Sequence, residues 1–118
     1  MSKALSSIDR LGEALGNLAQ TIDARASEPP ADKPSWTAKL LAAGPTKCAK
    51  KLGEEGVEAA LAVAAGTEGE VASETADVLY HLFVALRSRG VALDDVAAAL
   101  EARQGISGVD EKASRAEG

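Results

Sequence analysis

Two amphipathic runs, about Pro45 to Ala65 and Glu68 to Ser88, meet across nothing but Gly66 and Thr67, and each repeats its apolar residues at helical spacing. The pattern predicts an antiparallel helix hairpin. Each arm also carries carboxylates three residues apart: Glu55 and Glu58 in the first, with Glu54 beside them, and Glu74 and Asp77 in the second. Residues at that spacing share a helix face. If the two faces meet, four or five carboxylates surround one small volume and repel one another unless a hard cation sits among them. Magnesium is the natural occupant of an all-oxygen site.

A lone Glu-x-x-Glu says little, because surface helices are full of glutamate. The flanks carry the argument. Leu52, Val57, Leu61 and Val63 line the first arm, and Val71, Val78, Leu79, Leu82, Phe83 and Leu86 line the second, so both arms are expected to be core helices. Such helices do not keep clustered acids for solubility.

The rest of the chain is punctuated for helices too. From about Ala4 to Ala26, Leu5, Ile8, Leu11, Leu15, Leu18 and Ile22 recur at three and four. Residues 27–34, with prolines at 29, 30 and 34, form a linker. Ser35 is placed to cap a short helix, Trp36 to Ala43, which Gly44 ends and after which Pro45 opens the next. Beyond Gly90, Leu93-Asp94-Asp95-Val96 opens a fifth helix ending near Gly105. No segment reads as a strand. The expected fold is all-α, a helical bundle built on the hairpin and completed by oligomerisation. One domain would span residues 1–105, and the Gly-, Ser- and charge-rich tail 106–118 would be flexible.

Charge and cysteine content exclude several classes. A net charge of -5 argues against binding a nucleic-acid backbone. The distribution is uneven: residues 35–66 carry four lysines against three glutamates, whereas 67–103 carry seven acids against three arginines. Cys48 stands alone, so no intramolecular disulfide or cysteine-cluster metal site can form, and a buried inert thiol is expected. No apolar stretch approaches the roughly 20 residues of a membrane span, and no signal-peptide core opens the chain. A cytoplasmic location is the default expectation.

On the first arm, Lys47, Lys51, Glu54 and Glu58 step by four, three and four into one stripe, flanked by Lys50 and Glu55. A salt-bridge ladder is one reading. Lysines in the first turns with acids after them run against the helix dipole, however, which points to another use. A polyphosphate supplies it: magnesium held by the acids bridges phosphate oxygens, the lysines neutralise the remainder, and a carboxylate not fully occupied by the metal can accept the proton of the attacking water. His81, four residues after Asp77 and seven after Glu74, is expected on the acidic face. Tyr80 is expected at the core edge with its hydroxyl at the surface. Trp36 either stacks on a purine or anchors its own helix, and Gly56 admits close approach of another helix.

The run Trp36 to Pro45, the segment Lys47-Cys48-Ala49-Lys50-Lys51-Leu52-Gly53-Glu54-Glu55 with Glu58, and Glu74-Thr75-Ala76-Asp77-Val78-Leu79-Tyr80-His81-Leu82 followed by Arg89 to Val96 together resemble the phosphoribosyl-ATP pyrophosphohydrolases of histidine biosynthesis. The likeness covers about residues 5–103, and Gly105 to Gly108 resembles one branch of that family. It implies an all-α pyrophosphohydrolase that works as a dimer or larger homo-oligomer, of the free-standing rather than the fused form. The implied reaction is hydrolysis of phosphoribosyl-ATP to phosphoribosyl-AMP and pyrophosphate. The implied site comprises Glu54, Glu55, Glu58, Glu74 and Asp77, with Glu55, Glu58, Glu74 and Asp77 on magnesium and Lys47, Lys50, Lys51 and His81 toward the nucleotide. Two alternatives stay open: a noncanonical or deoxynucleoside triphosphate as substrate, and a helical interaction module whose acidic stripe binds a basic partner without catalysis.

Overall fold

In a computed structural model of the chain, residues 5–28 and 32–104 are described. The tail 106–118, Gly105 and the linker residues 29–31 lie outside that set. The described residues form five helices and no strand: α1 (Ser7–Ala26), α2 (Trp36–Ala43), α3 (Pro45–Ala65), α4 (Glu68–Ser88) and α5 (Leu93–Ala102). The fold is all-α, as the spacing predicts. α1 begins at Ser7 rather than near Ala4, because the Ser6 hydroxyl accepts from the Asp9 amide at 3.2 Å and fixes the start there.

The other starts are set in the same way. Ser35 Oγ accepts from the Ala38 amide at 3.0 Å, and Thr67 Oγ1 accepts from the Glu70 amide at 3.1 Å. The Thr67 hydroxyl in turn donates to the Glu70 carboxylate at 3.2 Å, tying the first turn of α4 together. Between α2 and α3 the chain turns at Gly44, whose φ of 94° is open to glycine and strained for other residues. Pro45 then opens α3 where its missing N–H costs nothing.

With only Gly66 and Thr67 between them, α3 and α4 run antiparallel and make the most extensive helix contact of the fold, with α2 laid across both. α1 returns against α2 and α4. Ile22, Leu40, Cys48 and Val84, one from each of α1 to α4, meet in a small buried core, flanked by Leu18, Leu41, Tyr80 and Phe83. Cys48 is the expected buried thiol, its S–H directed to the Leu40 carbonyl at 3.2 Å. Because Leu40 is 1% exposed at this junction, Leu40→Ala is expected to cost about 3 kcal/mol through lost burial and a cavity. Urea unfolding at fixed protein concentration measures it.

The expectation that both hairpin arms are core helices needs correction for α3. Val57, Leu61 and Val63 are 60–70% exposed, since α2 and α4 cover only one side of α3 and no other described helix packs extensively on it. Gly56 likewise admits no close neighbour here: a Cβ built on it meets nothing within 4 Å. α5 has no buried residue and stands off from the other helices. The radius of gyration is 17.1 Å, against about 13 Å for a compact chain of this length.

Candidate metal centre

Adjacent residues on a helix point about 100° apart, so Glu54 and Glu55 cannot both face α4. Glu55 and Glu58, three apart, do. Opposite them, Glu74 lies in the first half of α4, brought there by the two-residue turn. One carboxylate oxygen from each of Glu55, Glu58 and Glu74 falls within 4.8 Å of the others. Oxygens on opposite sides of a six-coordinate magnesium lie about 4 Å apart, so the spread suits such an ion.

Glu74 shows the strain of the arrangement. Its Oε2 is shielded from solvent and has no hydrogen-bond partner. Desolvation first, then the charges of Glu58, Asp77 and Glu55, push its carboxyl above the ordinary glutamate range. A divalent cation removes both causes together: it partners the orphaned oxygen and offsets the neighbouring charges. This donor set therefore fits magnesium.

The sign of the Glu74 shift makes a prediction for the metal-free protein. A group whose folded pKa is raised stabilises the fold below its unfolded value and loses that contribution as pH rises through the folded value. Lowering pH from neutral toward the glutamate value of 4.5 should thus raise the melting temperature of metal-free protein, and Glu74→Gln should flatten that dependence. Saturating magnesium should reverse its sign, since the metal competes with the proton. Thermal scans across pH, with and without magnesium, provide the check.

The remaining expected residues lie around this trio rather than in it. Asp77, expected among the ligands, is exposed and outside the three-oxygen cluster, although its charge reaches Glu74. Glu54 turns away to pair with Lys51 at 3.1 Å, and that hydrogen bond, with the charges of Lys51, Lys50 and Lys47, holds its carboxyl below the ordinary range. Lys47 and Lys50 are exposed one to two turns before the acids. The Lys51 ammonium also sits 6.0 Å from the centre of the half-exposed Trp36 ring. Trp36 thus stays half exposed beside Lys51.

His81 is buried, not displayed on an acidic surface, and Tyr80 does not send its hydroxyl to solvent. The Tyr80 hydroxyl is hydrogen-bonded to Thr37 of α2, and the His81 ring stands edge-on to Tyr80 at 4.9 Å. Both corrections have one cause: α2 lies over this part of α4. Thr37, a buried threonine in the first turn of α2, escapes sequence reading because nothing local marks one threonine as a partner for a residue 43 positions away.

An open groove lined by Ile22, Phe83, Leu86, Val91 and Leu93 lies near the other end of α4, bordered by the Arg87–Asp23 ion pair at 3.0 Å. It is apolar and separate from the carboxylates. No described helix is long and apolar enough to cross a membrane.

Residues 15–104 match the family described as Phosphoribosyl-ATP pyrophosphohydrolase. Among curated relatives, the chain is 56% identical to a phosphoribosyl-ATP pyrophosphatase of Dinoroseobacter shibae over 101 residues, 86% of this chain and 97% of the relative. It is 55% identical to one of Ruegeria pomeroyi over 104 residues, 88% and 97% of the two chains. It is 54% identical to one of Paracoccus denitrificans over 101 residues, 86% and 92%.

Proposed function

The chain belongs to the phosphoribosyl-ATP pyrophosphohydrolase family, and on that premise we propose that it hydrolyses phosphoribosyl-ATP to phosphoribosyl-AMP and pyrophosphate, the second step of histidine biosynthesis, with magnesium as cofactor and the cytoplasm as its setting. The observation that carries the metal reading is the convergence of Glu55, Glu58 and Glu74 around an unpartnered, shielded oxygen.

Glu55, Glu58 and Glu74 would hold the ion, which when bound offsets the negative charge that develops on phosphoryl oxygens during in-line displacement. The lysines complete the neutralisation. Lys47, Lys50 and Lys51 line the first turns of α3 ahead of the acids and give the polyphosphate a cationic track, while Glu54 holds Lys51 in place beside it. The half-exposed Trp36 would stack on the purine at the same end.

Hydrolysis also needs a base within hydrogen-bond reach of the attacking water, and a carboxylate outside the three-oxygen cluster has both oxygens available for it. Two acids of the constellation lie outside the trio. Glu54 is committed to Lys51, so the role falls to Asp77, exposed and one turn from Glu74. The decisive assay follows pyrophosphate release from phosphoribosyl-ATP beside a panel of noncanonical and deoxynucleoside triphosphates, with magnesium and with excess EDTA. Turnover of phosphoribosyl-ATP alone, abolished by EDTA, is the expected result. Preference for another triphosphate redirects the substrate, and no turnover of any nucleotide leaves a non-catalytic helical module.

A further inference from the structure

His81 is the chain's only histidine, and its residue surface is 8% exposed. Its Nδ1 lies 2.8 Å from the main-chain carbonyl oxygen of Asp77. A carbonyl can only accept, so Nδ1 carries the hydrogen. In the neutral ring that leaves Nε2 as a bare lone pair, and Nε2 is buried with no partner. Tyr80 cannot supply the missing donor, because its ring meets the imidazole edge-on and its hydroxyl is engaged with Thr37. Buried acceptors are rarely left without a donor, since each costs the full desolvation of the group.

The neighbours limit what the donor can be. Ionised carboxylates and phosphates are acceptors only, so in that form neither the acid trio nor the polyphosphate satisfies Nε2 directly. An O–H group can. Resting on the proposed magnesium-dependent hydrolysis, we propose that His81 is a positioning residue fixed as the Nδ1–H tautomer, whose Nε2 accepts a hydrogen bond from an O–H donor that arrives with the loaded site: either a water of the magnesium shell or a sugar hydroxyl of the nucleotide. Its placement suits the role, because Glu74 and Asp77 precede it by two turns and one turn on the same helix, and the other shielded, unpartnered side-chain atom among the described residues is Glu74 Oε2. Magnesium keeps several of its waters when bound by carboxylates, and histidines beside metal sites commonly orient the ligands around them. Through the Asp77 carbonyl the same ring stiffens the turn that carries Asp77, and through Tyr80 and Thr37 it is braced by α2.

Because the histidine is unique, its ring nitrogens can be read without assignment ambiguity by long-range ¹⁵N–¹H correlation on ¹⁵N-labelled full-length protein, at a pH above the ordinary histidine range. The metal-free protein is expected to show a protonated Nδ1 and a bare Nε2. Magnesium chloride alone, AMP alone, ribose 5-phosphate alone, and AMP with magnesium are then added in separate samples. A shift of Nε2 toward the hydrogen-bonded position with magnesium alone assigns the donor to metal-bound water; a shift with AMP or ribose 5-phosphate but not magnesium alone assigns it to the sugar. A hydrogen on Nε2 in the metal-free protein, or an Nε2 that no addition moves, overturns the inference. The two readings fail separately: calorimetric magnesium binding and pyrophosphate release with an unmoved Nε2 leave the hydrolase standing and remove His81 from it. His81→Phe, which keeps the ring and deletes both nitrogens, should lower kcat at least tenfold, with His81→Gln restoring part of it. Equal, wild-type kcat in both variants would also overturn the role.

Discussion

Glu58→Gln and Asp77→Asn should both cut turnover severely, but for different reasons that a metal titration separates. Glu58 supplies one of the three converging oxygens. Its amide keeps the shape, removes the charge, and should weaken magnesium binding together with kcat. A bound metal is worth several kcal/mol of charge stabilisation in the transition state, so the expected loss is roughly a thousandfold or more. Asp77 lies outside the cluster, and its amide should leave magnesium affinity within a few-fold of wild type while kcat falls by on the order of 10²–10⁴, the usual contribution of a general base. Calorimetry with magnesium and steady-state kinetics on the same preparations give both quantities. If Asp77→Asn lost metal affinity as severely as Glu58→Gln, Asp77 would be a ligand and the base would lie elsewhere. Near-normal turnover in both variants would reduce the acids to a solvated helix face.

The boundaries of α2, α3 and α4 were legible because the residues that set them act locally. Ser35 and Thr67 bond to amides three residues on, Pro45 needs no N–H partner, and Gly44 and Gly66 end what precedes them. The meeting of Glu55 and Glu58 with Glu74 was legible for a related reason: a two-residue turn leaves the arms little choice of register. Which acid of the Glu54-Glu55 pair faces inward was not legible: the stripe sets Glu54 in line with Glu58 and Glu55 at its flank, and Lys51 stands within pairing distance of both, three residues before one and four before the other. Nor was the environment of His81 and Tyr80. It depends on where α2 comes to rest, and that is decided by the shared burial of Ile22, Leu40, Cys48 and Val84 rather than by any spacing within α4. The exposure of Val57, Leu61 and Val63 was illegible for a third reason: their periodicity says that they want burial, but not whether the same chain can provide it.

That unprovided burial carries the second large prediction, a homodimer or larger homo-oligomer on which activity depends. Three helices present apolar stripes to solvent: Leu5, Ile8 and Leu11 at the start of α1, Val57 and Leu61 one turn apart on α3, and Leu93, Val96 and Leu100 on α5. Apolar rows of this kind, unlike singly scattered apolar residues, mark an interaction surface, and α5, with nothing of its own buried, gains little from the fold unless another surface receives it. The open groove beside Phe83 and Leu86 continues this apolar surface toward Leu93. Mixed-sign partners are not required, because the stripes can pair with their own copies across a twofold axis. The α3 stripe matters most for function: Val57 and Leu61 share their helix with Glu55 and Glu58, so an interface there also fixes the acid face. Size exclusion with light scattering should therefore give at least twice the 12.0 kDa chain mass at micromolar concentration. Leu61→Glu, at a largely exposed position outside the buried core, should shift the protein toward monomer and reduce turnover in step with the fraction dissociated. A wild-type monomer that turns over at full rate at micromolar concentration would rule out an interface that the site requires.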